Sequence, residues 1–290
     1  MGAASRWSVS RVPGLVGTVP PTVSVLVAIV SVQVGAALAK QLFAVAGTAG
    51  AVTLRLVLAA VVLVLLWRPS IRAQRRAIPV ILAYGVVLGV MNLCFYAALE
   101  RIPLGIAVTV EFLGPLAVAL AGSRRWLDGL WALLAGAGVV LLANTGGAVS
   151  VPGLLFALAA GACWAGYILL SAALGSRTTD GSGLALAAVV SGLLVAPFGI
   201  VDAGTALLQP WVLAAGLGVA LMSSVIPYSL ELTALRSIPP RVFGVLMSLE
   251  PAVAALAGLV VLGEALRPAQ WIAVVCVVAA SAGATRYRRE

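Results

Sequence analysis

The stretch ALERIPLGIAVTVEFLGPLAVALAG, residues 98–122, returns 136 residues later as ALRSIPPRVFGVLMSLEPAVAALAG, residues 234–258. Without a gap, Ala98-Leu99 falls on Ala234-Leu235, Ile102-Pro103 on Ile238-Pro239, Leu113 on Leu249 and Pro115 on Pro251. Ala119-Leu120-Ala121-Gly122 likewise falls on Ala255-Leu256-Ala257-Gly258. A repeat of this period divides the chain into two halves. Apolar runs surround it at 22–44, 48–67, 77–98, 103–122 and 127–145 in the first half, and at 151–174, 182–201, 210–233, 240–262 and 268–285 in the second. A transmembrane helix takes roughly 20 apolar residues, so each run predicts one span. The expected fold is an all-α polytopic membrane protein of ten transmembrane helices. Because five is an odd number, the second half enters the membrane with the opposite polarity, and the ten helices form two inverted five-helix repeats.

Composition points to the same solvent. Of 290 residues, 62% are hydrophobic and 9% charged, with a mean hydropathy of +1.15. Soluble domains carry about 25% charged residues, and a soluble surface could not absorb so much apolar side chain. The boundaries expected are an N-terminal tail at 1–21, a first repeat at 22–147, a second at 148–285 and a C-terminal tail at 286–290. The tail holds Arg6 and Arg11 but no long apolar core before Pro20, so it does not read as a cleaved signal peptide.

Arginine placement gives the orientation. Counting gaps alternately, one side collects Arg6, Arg11, Arg68, Arg72, Arg75, Arg76, Arg124, Arg125, Arg177, Arg236, Arg241, Arg286, Arg288 and Arg289. The other side has only Arg101 and Arg267. The positive-inside rule then places both termini in the cytoplasm. Basic residues scattered between apolar runs fit membrane orientation and not a nucleic-acid-binding face. Histidine is absent, and Cys94, Cys163 and Cys276 stand singly in apolar stretches, so no zinc cluster, disulfide framework or cofactor is expected.

Charged residues inside the runs mark the candidate site. Lys40, Arg55, Glu111 and Glu250 lie well within apolar segments, and Glu231 lies toward the end of one. A charge at the bilayer centre costs about 2.5–3.5 kcal/mol on the gentler insertion scale, so these groups should face one another or a water-filled cavity. Two cations among the anions suggest mutual pairing. Helical spacing aligns further polar groups with them: Gln33, Ala37 and Lys40 at i, i+4 and i+7, Ser224, Tyr228 and Glu231 likewise, Asn92 and Tyr96 at i, i+4, and Trp164 and Tyr167 at i, i+3. Pro227 should free a backbone carbonyl next to the Ser224 stripe. Pro115 and Pro251, at matching places in the two halves, are candidate gating hinges.

These residues carry a resemblance. The strings are Ser31-Val-Gln33 through Ala37-Leu-Ala-Lys40 to Leu42-Phe43, Val52-Thr-Leu-Arg55-Leu, Pro103-Leu-Gly-Ile-Ala-Val108, Glu111-Phe-Leu-Gly-Pro-Leu-Ala-Val-Ala-Leu120, Gly161-Ala-Cys-Trp-Ala165 with Tyr167, Pro227-Tyr-Ser-Leu-Glu231 and Leu246-Met-Ser-Leu-Glu-Pro251. Together they run in order along nearly the whole chain. The chain resembles the EamA-type drug/metabolite transporter superfamily, and within it the threonine/homoserine exporter group of bacterial inner membranes. Val34 stands where that resemblance implies a glycine, and Gly166 where it implies a bulkier residue.

The resemblance implies amino-acid efflux as the function, with a small neutral amino acid, protons and the lipid bilayer as partners. A zwitterion with a hydroxyl needs a cation for its carboxylate, an anion for its ammonium and a polar group for the hydroxyl. Lys40 or Arg55, Glu111 or Glu250, and Asn92 or Ser224 offer that set. Gln33, Tyr96, Trp164, Tyr167 and Tyr228 complete the candidate substrate-binding residues. No glycine-rich nucleotide loop is present to power export, so antiport against protons is the natural coupling, with Glu111 or Glu250 as carrier. An exporter of other metabolites or drugs would share the fold and differ in the pocket lining. An intramembrane enzyme would need clustered acids, bases or metal ligands at a membrane face, and the short loops and missing histidine argue against one. The orientation has a direct check: single-cysteine labels at Gly147 and Arg288 should report opposite sides of the membrane, and labelling from the same side would overturn the inverted repeat.

Overall fold

The computed structural model describes residues 20–121, 126–144, 149–175, 177–178, 181–235, 237–238 and 240–286. Residues 1–19 and 287–290 of the expected terminal tails, together with Arg124, Arg125, Gly147 and the Tyr228 side chain, lie outside the described residues. Every one of the ten apolar runs contains helix, and no strand occurs among the described residues. In chain order the helices are α1 (Pro21–Gln41), α2 (Phe43–Trp67), α3 (Ile78–Leu99), α4 (Leu104–Glu111), α5 (Leu113–Leu120), α6 (Trp126–Asn144) and α7 (Val151–Gly175). They continue as α8 (Ser182–Ala203), α9 (Pro210–Ala220), α10 (Ile226–Leu235), α11 (Pro240–Met247), α12 (Glu250–Leu262) and α13 (Pro268–Arg286), with a π-turn at Leu221–Val225 joining α9 to α10. Among the described residues, seven helical segments are long and apolar enough to cross a bilayer; shorter apolar helices occupy Leu104–Leu120, Gly129–Leu142 and Pro210–Val225. The outer surface is apolar too, with Val201 87% exposed and Val260 80% exposed. In lipid these side chains cost nothing, while the helices satisfy their own backbone groups.

The breaks have local causes. A chain going straight from α1 into α2 must reverse within a few residues, and Gly47 does this with φ of 64° and ψ of 174°. A side-chain carbon there would collide with the Asp202 carboxylate at the end of α8. The turn therefore comes between Leu42 and Gly47, slightly before the 44–48 gap that hydropathy suggests.

The run at 103–122 breaks at Phe112 and the run at 240–262 at Ser248-Leu249. Each break precedes a proline, Pro115 or Pro251, whose missing N–H releases the carbonyl four residues back and whose ring crowds it. The two sites stand at the same place in the repeat: Phe112 plus 136 is Ser248.

Packing between the two halves follows an exchange rule. Number the runs one to five in each half: α2 packs on α8, α6 on α13 and α4 on α12, which joins run two to two, five to five and four to four. Most of the remaining contacts come in swapped pairs, the packing of α4 and α5 on α13 being the exception. Thus α3 packs on α7 and α1 on α10; α3 on α8 and α2 on α9; α4 and α5 on α7 and α1 on α12. The largest core lies where these pairs meet, around Tyr96, Leu99, Leu104, Ile106 and Val110 with Ala36 and Ala39 of α1 and Ala254 of α12. Helix α4 is buried on every face; its residues are apolar except Thr109, whose hydroxyl donates to the Gly105 carbonyl at 2.6 Å, and Glu111 at its end.

The tightest crossing is at α7. A side-chain carbon on Gly161 would come within 2.6 Å of the Glu111 carbonyl oxygen, and one on Gly114 would overlap the Gly161 carbonyl. The carbonyl that Pro115 releases thus lies against a residue with no side chain. Gly161→Ala should lower stability by about 1–3 kcal/mol through overpacking. Gly218→Ala, where nothing lies within 4 Å, should be neutral or slightly stabilising. Thermal unfolding of the two variants in detergent is the measurement.

Candidate functional site

At Pro227 the chain shows how a site is prepared. Proline cannot donate to the carbonyl four residues earlier, Ser223, and the helix widens into the Leu221–Val225 π-turn just upstream. The released Ser223 carbonyl accepts from Arg55 Nη2 at 3.2 Å, and the Met222 carbonyl accepts from Ser31 Oγ at 2.7 Å. Arg55, in the middle of α2 and 9% exposed, also donates from Nη1 to the Tyr96 hydroxyl at 3.4 Å. Its guanidinium carbon sits 5.7 Å from the Tyr96 ring centroid. Arg55 is therefore fixed between α3 and the π-turn, and it lies within coulombic range of Glu111.

Glu250, at the start of α12, is buried and takes the Gln33 side-chain amide at 3.5 Å. Its other oxygen, and the Gln33 carbonyl oxygen, have no hydrogen-bond partner among the described residues. Nor has the buried Ser223 hydroxyl. Unsatisfied polar atoms in a buried centre are costly and rare, and here they gather on neighbouring helices α1, α12 and the π-turn. Glu250 is within coulombic range of Glu231 and Glu111. Asn92 donates to the Leu88 carbonyl at 2.9 Å, and with Arg55 and Ser224 it borders a cavity of about 20 Å³, the size of one water.

Arg55, Glu111, Gln33, Glu250, Asn92, Tyr96 and Ser224 thus belong to one polar centre built from α1, α2, α3, α4, α12 and the α9–α10 junction. Trp164 and Tyr167 stand elsewhere. Trp164 meets Phe112 edge-on with centroids 5.5 Å apart, and Tyr167 stacks on Tyr84 at 4.8 Å, both at the α7 seams with its neighbours.

Lys40 does not pair with Glu111 or Glu250. Its ammonium lies 2.6 Å from Glu264 and 3.0 Å from the Ile102 carbonyl. The other Glu264 oxygen accepts the Leu104 N–H at 2.7 Å, at the N-terminal end of α4. Sequence reading misses Glu264 because it follows Gly263 in a connection, where a charge reads as solvated. The position of Ser223 was available in principle, four residues before Pro227. No group of three metal-binding side chains occurs among the described residues.

The pattern of the EamA-like transporter family matches residues 151–286. The protein named threonine/homoserine exporter RhtA from Escherichia coli (strain K12) is 44% identical over 281 residues, covering 94% of this chain and 95% of that protein. The chain belongs to the EamA-like transporter family. Within it, the chain falls in the threonine/homoserine exporter group, and as a member it is a transporter and not an enzyme. The Salmonella typhimurium (strain LT2) protein of the same name is 43% identical over 276 residues, covering 93% of each chain. An uncharacterized transporter of Bacillus subtilis, YwfM, is 26% identical over 217 residues, or 71% of this chain and 72% of that one. A solved crystal structure superposes with a TM-score of 0.62 over 91% of this chain and 96% of its own at 21% identity, a likeness of fold alone.

The Lys40–Glu264 pair gives the test of this geometry. Its side chains are 20% and 17% exposed, so solvent screens them only in part. A double-mutant cycle with Lys40→Met and Glu264→Gln should return a coupling of about 1.5–3 kcal/mol in unfolding free energy, the range of a charge-assisted bond. The same cycle with Glu250→Gln in place of Glu264→Gln should return none.

Proposed function

We propose that this protein exports small neutral amino acids of the threonine and homoserine kind across the bacterial inner membrane, by alternating access and in exchange for protons. The observation that carries the reading is end-to-end likeness, at 44% identity, to a protein named for threonine/homoserine export. The polar centre supports it independently. An α-amino acid presents a carboxylate, an ammonium and here a hydroxyl, and the centre holds a guanidinium, buried carboxylates and side-chain amide and hydroxyl groups within a few helices of one another. Arg55 suits the carboxylate, Glu250 or Glu111 the ammonium, and Asn92, Ser224 or Gln33 the hydroxyl.

Ten spans in two inverted repeats remain the architecture we favour, with both termini in the cytoplasm. The exchange rule in the packing and the paired breaks ahead of Pro115 and Pro251 support it, since two halves related by a twofold axis in the membrane plane must trade contacts in that way. On this reading the prolines mark the hinges of the rocking motion. Lys40 takes a different part from the other charges: bound to Glu264 and the start of α4, it closes the extracytoplasmic end of α1. Proton exchange needs a group that changes charge inside the protein. Glu250, with one oxygen unengaged, and Glu111, facing Arg55, are the carriers.

An exporter of other metabolites or drugs would use the same frame, and transport assays separate the two. Cells or vesicles carrying the protein should lose labelled threonine and homoserine faster than those without it, and an uncoupler should abolish the difference. Glu111→Gln or Glu250→Gln should slow uncoupler-sensitive efflux about tenfold or more, roughly 1.4 kcal/mol of barrier. Full-rate efflux in both variants would remove the glutamates from the coupling role.

A further inference from the structure

A cavity of about 900 Å³ opens between α2, α3, α7 and α8, at the end of the bundle where α1 turns into α2. Its lining is mixed. Arg101 and Glu100 enter from the end of α3, Asp202 from the last turn of α8, and Thr48 from the α2 turn, while Phe43, Phe156 and Cys94 supply apolar wall. We propose that this cavity is an outer binding station for the exported zwitterion, with Arg101 receiving its carboxylate and Asp202 its ammonium. The inference rests on the export reading above and adds a second site to it.

Three observations carry the proposal. First, both charges are held in place by the protein and keep bonding capacity for a ligand, although Arg101 is already ion-paired with Glu100 in the same lining. Arg101 Nη1 donates to the Ala97 carbonyl at 2.7 Å and to Glu100 at 2.8 Å, and its guanidinium lies 5.1 Å from the centroid of the Phe156 ring. Nη2 makes no bond among the described residues. Asp202 Oδ2 accepts the Ala49 N–H at 2.9 Å, which fixes the carboxylate across the mouth of the cavity from α3 and leaves Oδ1 for a ligand. The wall thus carries one guanidinium, already paired on one side with Glu100, and a separate carboxylate at Asp202, so a ligand bearing both an ammonium and a carboxylate can meet an opposite charge at each end.

Second, the cavity leads to the polar centre. Phe43 lines it, and the Phe43 ring packs 5.7 Å from the ring of Tyr96, whose hydroxyl accepts from Arg55. Two aromatic rings, Phe43 at the wall and Tyr96 behind it, therefore stand between the cavity and the guanidinium. Cys94, also in the lining, lies within coulombic range of Glu111 on the far side. Third, Arg101 is one of only two arginines that the gap count assigns to this end of the molecule, and it is the one that lines the cavity.

The exposed rims at Phe198 and Val201 also suit a lipid acyl chain, so the experiment must tell water and amino acid from lipid. Cys94 is a reporter built into the wall. In a protein carrying Cys163→Ala and Cys276→Ala, embedded in right-side-out vesicles, a membrane-impermeant sulfonated maleimide should label Cys94 from outside. L-Threonine at several times its dissociation constant should slow the labelling at least about threefold, because it occupies most of the site. Arg101→Gln and Asp202→Asn should each remove the protection while Cys94 stays reactive; the asparagine keeps an oxygen for the Ala49 N–H. Labelling only by a lipid-soluble maleimide would make the cavity an acyl groove and overturn the proposal. So would labelling that threonine leaves unchanged in vesicles that do export threonine. Vesicles that export neither threonine nor homoserine would instead overturn the export reading, and this station with it.

Discussion

A helix in hydrocarbon has no water to take up a hydrogen bond that it gives away, and this structure is organised around the places where it does so. Pro115 releases the Glu111 carbonyl, and α7 meets it with Gly161, whose missing side chain lets the two backbones touch. Pro227 releases the Ser223 carbonyl, and α2 meets it with the guanidinium of Arg55. One freed group is covered by close packing and the other by a charge. The second solution brings an arginine to the middle of the bundle, within electrostatic reach of the buried Glu111.

Charge in such an interior is tolerated only where it is engaged. Two regimes are visible. Lys40 and Glu264 satisfy each other together with two backbone groups, and they fasten the end of α1 to the start of α4. Gln33, Glu250 and Ser223 are deeply buried yet keep acceptor or hydroxyl atoms unengaged. The matched cluster suits a frame, and on the proposed function the partly matched one is where the substrate is bound. That contrast separates scaffold from site more sharply than the identity of the residues does.

Much of this was legible in the sequence. Ten apolar runs marked where helices lie, because a lipid-facing helix is apolar all round and needs no periodicity to be seen. The shift by 136 residues located both proline breaks, and Pro227 announced a freed carbonyl, since a missing N–H is a property of the residue itself. The partners were not legible. Lys40 reads as one more buried cation seeking Glu111 or Glu250, but its counter-charge comes from a connection more than 220 residues away, and only the packing of α1 against α12 brings them together. Trp164 and Tyr167 share a helical stripe with the right spacing, yet α7 turns them to its seams with Phe112 and Tyr84. Spacing fixes which side chains share a face and says nothing about what that face meets.

Glu264 ties three separate pieces of chain into one knot: the end of α1 through Lys40, the beginning of α4 through the Leu104 N–H, and its own connection between α12 and α13. Parting any two of the pieces strands a charge or an amide, so one carboxylate sets the relative position of three stretches of chain that the sequence keeps far apart.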